Sequence, residues 1–302
     1  MELHYKTRNV KFNLSQFLSL LYNELKCNPY YMPGETRQCK RGLGQILRQI
    51  GIPVLTKGFC RWYYPKSEWG FPKANSDFSS GAFPVRMIGE ERLNSIKTLC
   101  HEKGIRFTDY ITAAFYQALI DIIKPRSNSQ LPIQMTMDLR KYLPSGKAAA
   151  VCNMTGAFYP VIRHTNGKSF DQTLQDVVKA VSVAREGKSW IGGVLFLEMI
   201  SIFPGFIHTL LARHIIKREL SSGTSHPFFS NLGEIDPSLI DFGDLKAEDL
   251  GLFGPVSFPP NFLATAYSFR GQLYLNSSFC PTAADPKLVD RFFDSFLNYL
   301  PA

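Results

Sequence analysis

No two of the six cysteines, at positions 27, 39, 60, 100, 152 and 280, stand close enough to form a C-x-x-C pair. That spacing excludes the common zinc-ribbon and dithiol patterns, and scattered single cysteines read as reduced thiols of a cytoplasmic protein. Acid is scarce: 25 Asp and Glu face 34 Lys and Arg, a formal charge of +9. The surplus favours anionic partners such as phosphate, acidic protein or anionic lipid. The basic residues are dispersed and build no recognisable module, so no nucleic-acid partner is expected. A G-x-S-x-G elbow, a glycine-rich phosphate loop, a metal-ligand cluster and an internal repeat are also missing. Met1-Glu2-Leu3-His4-Tyr5-Lys6 carries charge where a secretory leader needs an apolar core, so no signal peptide is expected.

Long apolar runs are nearly absent as well. The one exception, residues 190–211, reaches the roughly 20-residue length of a bilayer span. Glu198 lies near its middle, Pro204 interrupts it and His208 follows, which favours two shorter helices over one span. The basic stretch Arg213-His214-Ile215-Ile216-Lys217-Arg218 behind it keeps a peripheral membrane contact as a further reading.

What is present suits a packed globular chain. A hydrophobic content of 45% over 302 residues supplies the core of one large domain or two small ones and excludes disorder. The 24 phenylalanines point to a sheet-rich core with large apolar fillers.

Periodicity predicts the elements. Leu14, Phe17, Leu18, Leu21 and Leu25 form a helical stripe with Asn13 as its cap. Residues 62–83, rich in aromatics, proline, serine and glycine, read as a linker and set a domain boundary at 81/82. A strand is expected at 82–87, a helix at 90–102 ending at Gly104, and a second helix starting at Thr108 and stopped by Pro125. Met135 and Met137 alternate with Gln134, Thr136 and Asp138 in a half-buried strand, and another strand covers 157–163. Ser169 and Gln172 make a capping box ahead of a helix. Strands at 262–269 and 272–279 flank Arg270-Gly271 as a hairpin, and Asp285-Pro286 opens the last helix. Strands and helices mix without strict alternation. The expected class is α+β, a mixed sheet with helices packed on one face.

Several strings then follow in one order: Asn94-Ser95-Ile96-Lys97 through Thr108-Asp109 to Thr112-Ala113-Ala114, then Asp138-Leu139-Arg140-Lys141-Tyr142-Leu143-Pro144, then Asn153-Met154-Thr155-Gly156. Phe229-Ser230-Asn231-Leu232-Gly233, Asp241-Phe242-Gly243 and the hairpin Tyr-Ser-Phe-Arg-Gly-Gln-Leu-Tyr-Leu complete the set. Together they resemble the C-terminal half of the chloramphenicol-acetyltransferase-like superfamily, which includes peptide-synthetase condensation domains, alcohol acetyltransferases, and wax-ester and diacylglycerol acyltransferases. The resemblance covers residues 82–302. It implies a two-layer α/β sandwich of the CoA-dependent acyltransferase type with its N-terminal half truncated. Residues 1–81 would be a remnant of the N-terminal subdomain plus a linker, and residues 82–302 the acyltransferase-like subdomain. It implies acyl transfer from a thioester of coenzyme A or of carrier-protein phosphopantetheine to an alcohol or amine. The thioester is then a substrate, and no permanently bound cofactor is expected.

The family's catalytic motif is His-His-x-x-x-Asp-Gly, whose second histidine takes the acceptor's proton. None of the six histidines here has a histidine neighbour. His4, in Leu3-His4-Tyr5-Lys6-Thr7-Arg8-Asn9, is the candidate relic, with Arg8 and Asn9 where Asp and Gly belong. The resemblance further implies that Ser230, Asn231 and Gly233, with Asn153 and Thr155, contact substrate, and that Arg140 and Asp241 are structural; read from the residues alone, Ser230 and Asn231 equally suit a strand end whose side chains cap its own backbone, and Asn153 with Thr155 a structural turn. With no motif aspartate present, Arg140 would need another carboxylate or would face water. His226 reads as a hydrogen-bonded structural histidine. The departure at the motif leaves three readings open: an acyltransferase, active alone or only when completed by a second chain that supplies the missing half; a non-catalytic binding or scaffold protein of the same fold; or a peripheral membrane protein.

Overall fold

A computed structural model describes residues 64–77, 79–143, 154–186, 190–200, 202–242 and 245–302, with residue 46 and two short strands nearer the N-terminus. The helix expected at 14–25 and the candidate Asn153 lie outside the described residues. The chain divides into two compact units, Met1–Gln49 with Arg140–Met154, and Ile50–Leu139 with Thr155–Ala302. In the first unit, strands β1 (Glu2–His4) and β2 (Lys11–Asn13) pair antiparallel, with His4 opposite Lys11.

The second unit is built on a six-stranded mixed sheet. Its strands are β3 (Val85–Ile88), β5 (Gln134–Asp138), β6 (Thr155–Phe158), β8 (Phe228–Ile235), β11 (Leu263–Phe269) and β12 (Gln272–Ser277), in the order β3-β12-β11-β8-β5-β6. Strand β8 runs parallel to both β11 and β5, and the other pairings are antiparallel. Outside this sheet, β4 (Gln130–Pro132) pairs with β7 (Val161–Arg163), and β9 (Asp241–Phe242) with β10 (Leu245–Lys246). The expected strand at 157–163 is therefore two strands. Pro160 parts them because it has no N–H to give a ladder.

Helices α1 (Glu90–Glu102), α2 (Phe107–Ile123) and α6 (Pro286–Asn298) cover one face, and α3 (Phe170–Glu186) packs on α2. Helix α2 is apolar nearly all round and buried accordingly. Phe115 on α2 stacks on Phe229 of β8 at 4.7 Å and meets Phe292 of α6 edge-on at 5.7 Å. The expected Ser169–Gln172 capping box is reciprocal: the Ser169 N–H donates to Gln172 Oε1 at 2.9 Å, and the Gln172 N–H to Ser169 Oγ at 3.3 Å. Asp285 caps α6 by accepting from the Lys287 N–H at 2.9 Å. Thr108, expected as the cap of α2, lies inside its first turn instead, and Arg106 is the N-cap residue. Residues 190–222 break at Pro204 into α4 (Trp190–Ile200) and α5 (Gly205–Ser222). No helix among the described residues is long and apolar enough to cross a membrane.

The stretch expected to be a linker is part of this body. Trp69 is buried, stacks on Tyr116 at 5.8 Å and donates from Nε1 to the Pro132 carbonyl at 2.9 Å. Phe71 stacks on Phe262 at 4.5 Å. A Cβ on Gly70 would stand 2.5 Å from the Gly223 carbonyl oxygen, so only glycine fits that approach. The expected boundary at 81/82 thus coincides with no break in packing.

His226 closes the same seam. Its Nε2–H donates to the Pro65 carbonyl at 2.7 Å, its ring lies 4.5 Å from Tyr64 and 5.3 Å from Tyr159, and Nδ1 is buried without a partner. Burial holds its pKa below the ordinary imidazole value of 6.5, with the Pro65 carbonyl opposing. A depressed histidine pKa gives stability that is fully present above about pH 6.5 and is lost as pH falls towards the folded-state value. His226→Gln keeps a donor for Pro65 and removes the titration. Denaturation midpoints across this window are expected to fall with pH in the wild type and to fall less in the variant; equal slopes would contradict the reading.

Candidate functional site

The face of the sheet away from the helices carries a polar row across its centre. Register places Thr265 of β11 opposite Ser230 of β8 and opposite Asn276 of β12. Thr136 of β5 joins the row through a 3.0 Å hydrogen bond between its hydroxyl and that of Ser230. Cross-strand partners share a face, so these four side chains point the same way. Phe228 and Leu263, one pleat further along, put apolar surface beside them.

A second wall stands over this floor. Residues 252–257 run across the face and leave a cleft of ≈ 570 Å³, whose lining includes Ser230, Leu232, Phe253, Val256, Asn261, Leu263 and Thr265. That volume is in the range of small-molecule sites. The wall is fixed at both ends. The Tyr267 hydroxyl donates to the Leu250 carbonyl at 2.6 Å and accepts from the Leu252 N–H at 3.2 Å, while Asn276 Nδ2 donates to the Leu252 carbonyl at 2.7 Å. At the other end Ser257 gives its N–H and its hydroxyl to the Ser278 carbonyl, at 2.8 and 2.9 Å. Among the described residues no His, Cys, Lys, Arg, Asp, Glu or Tyr lines the cleft. Its polar groups are hydroxyls and amides, and Asn261 Oδ1 is buried there without a partner. Such a site donates and accepts hydrogen bonds but removes no proton near neutral pH.

No family model and no curated protein matches the chain by sequence. Among solved structures, it is similar to the epimerization domain from the third module of tyrocidine synthetase B, at a TM-score of 0.57 and 11% identity, over 85% of this chain and 57% of that one. It is also similar to a trichothecene 15-O-acetyltransferase from Fusarium sporotrichioides, at 0.56 and 12%, over 82% and 50%. The third is a peptide-synthetase cyclization-docking bidomain from Sorangium cellulosum, at 0.55 and 14%, over 85% and 50%. The chain has the chloramphenicol-acetyltransferase-like fold. It spans from half to about three fifths of the length of these structures.

In this acyltransferase-like fold the candidate residues separate. Ser230 lies on the cleft floor, but Asn231, its neighbour on the strand, points to the helix face. There Asn231 Nδ2 donates to Thr108 Oγ1 at 2.9 Å, and its Oδ1 accepts the Gly233 N–H at 3.0 Å. The adjacent pair in sequence is thus no pair in space. Gly233 is set by conformation rather than by close approach: its φ is +75°, and nothing lies within 4 Å of where a Cβ would stand. It sits in a bulge, where β8 slips by one residue against Ala266 and Ser268 of β11. Gly233→Ala is expected to cost about 1–2 kcal/mol in a denaturant titration while leaving the cleft floor in place; a variant as stable as the wild type would contradict the backbone argument.

Thr155 opens β6 opposite Asp138, at the edge of the sheet, and does not line the cleft. Arg140 begins a short 3-10 turn, Arg140–Tyr142, and its carbonyl accepts from the Leu143 N–H at 2.8 Å. Asp241 opens β9, opposite Lys246. His4 stands on β1 in the N-terminal unit. Reading by strings missed Thr136, Thr265 and Asn261. The alternation of Gln134 and Thr136 with Met135 and Met137 already placed Thr136 on the face opposite the methionines, and that signal was enough to find it.

Proposed function

We propose that this chain holds an acyl thioester, on coenzyme A or on the phosphopantetheine of a carrier protein, in the cleft on the open face of its sheet, and takes part in acyl transfer to an alcohol or amine. The observation that carries the reading is the pair of hydroxyls Ser230 and Thr265 in the cleft under an apolar wall, with Thr136 bonded to Ser230 from beyond the lining, in a fold shared with peptide-synthetase domains and an acetyltransferase. Hydroxyl donors fixed on the cleft floor stabilise charge as it develops on a thioester oxygen, and they need little reorganisation to do so. The apolar wall suits an acyl chain and the alkyl parts of a pantetheine arm.

Attack by a hydroxyl or amine also needs a proton acceptor. That acceptor is assigned to a histidine outside the cleft walls, supplied by a second chain. The test is the purified chain with acyl-CoA and with an acylated carrier protein, scored for saturable binding and, in the presence of alcohols or amines and of a chain bearing an intact histidine motif, for thiol release. Saturable binding with thiol release is the expected result; no binding of either thioester would overturn it. That no ionisable side chain among the described residues lines the cleft favours one second reading, a binding or scaffold protein without turnover. Binding with no thiol release, alone or with a chain bearing an intact histidine motif, would select that reading.

A further inference from the structure

Helix α5 extends over eighteen residues, and none of them is buried. Phe206, Leu210, Arg213, Lys217 and Leu220 recur at intervals of four, three, four and three, which draws one stripe along the helix, about 21 Å from end to end. All five are exposed, whereas Ile207, Leu211 and Glu219, on the other side, are half-buried. The stripe runs into an apolar tip at the turn from α4, where Ile202 is 81% and Phe206 65% exposed, with Phe203 between them. Glu219 is the only acid of the helix, and it lies off the stripe. No ion pair among the described residues takes up Arg213 or Lys217.

This pattern fits one kind of partner. Large side chains at a convex tip gain by leaving water, and arginine and lysine stems lie along an apolar surface while their charged ends reach outward. A protein partner would have to desolvate those ammonium and guanidinium groups, and lysine is depleted at the cores of protein interfaces. An anionic bilayer accepts both features, the tip among the acyl chains and the cations among headgroup phosphates. We propose that the α4–α5 corner is a peripheral docking surface for anionic lipid, with Ile202, Phe203 and Phe206 inserted and Arg213 and Lys217 at the headgroups. This surface is argued independently of the cleft, and its failure leaves the thioester reading untouched.

The test is co-sedimentation of the full chain with phosphatidylcholine vesicles, with and without phosphatidylserine, at low and high salt. Binding is expected only to the phosphatidylserine vesicles, and it weakens as salt screens the charges. The double variant Arg213→Glu, Lys217→Glu is expected to reduce partitioning at least about tenfold, as is Phe206→Asp. Lys287→Glu, a reversal of one exposed charge elsewhere, is expected to lose several-fold less. Circular dichroism confirms that the variants fold, and their altered residues are all exposed. No binding by the wild type at low salt would overturn the proposal, as would equal binding by the Arg213/Lys217 and Lys287 variants. Self-association that Phe206→Asp abolishes, without vesicle binding, would assign the surface to a second copy of the chain and overturn it equally.

Discussion

Ser230→Trp is expected to lower affinity for an acyl thioester at least about a hundredfold, or about 2.7 kcal/mol. The indole would occupy the floor of a cleft of ≈ 570 Å³, between Thr136 on one side and Thr265 on the other. Removing only the hydroxyl, as in Ser230→Ala, is expected to cost about 1 kcal/mol, or roughly fivefold, because one hydrogen bond is lost and the space remains. The order of these effects separates filling from hydrogen bonding. Leu232→Trp gives the same block from the half-exposed rim, where a larger side chain does not disturb the sheet. Calorimetric titration with acyl-CoA reads all three variants. Wild-type affinity in both tryptophan variants would mean that the ligand does not use this cleft.

Phe292→Ala is expected to cost about 3–5 kcal/mol of stability. The ring is fully buried on α6 and lies 4.7 Å from Phe262 and 5.7 Å from Phe115, at the point where both helices meet the sheet. Against a total stability of about 5–15 kcal/mol, that loss brings the chain close to unfolding at ambient temperature. Phe253→Ala, on the cleft wall, removes the same ring from a position that is 47% exposed and is expected to cost less than about 1 kcal/mol. Urea titration of the two variants compares them directly. Equal midpoints would mean that the aromatic cluster between helices and sheet is not the centre of the core.

These contrasts also mark what the sequence could disclose. Helix α1, the break at Pro204, the Ser169–Gln172 capping box, the hairpin across Arg270–Gly271 and the Asp285 cap of α6 all rest on neighbours in sequence, and each stands where local physics puts it. Residues 64–77 failed the same reading because Trp69 and Phe71 sit among prolines and serines without periodicity. What buries them is distant, Tyr116 and Phe262, and no local pattern announces such partners. The site was half legible for the same reason. Ser230 was found from a string, yet its partners Thr136 and Thr265 come from strands brought beside β8 by parallel pairing over long separations. Period-two alternation would have kept Asn231 apart from Ser230. Asn231 follows the other expectation for this strand end and caps its own backbone through the Gly233 N–H.

The central claim is that the open face of the sheet receives the thioester. A photoreactive acyl-pantetheine, cross-linked to the chain and mapped by peptide sequencing, tests it most directly. Label is expected on the peptides that carry Ser230 and Leu232, Phe253 to Val256, and Leu263 to Thr265, and excess unlabelled acyl-CoA is expected to suppress it. Competable label confined to the helix face, or to peptides outside these three, would contradict the account.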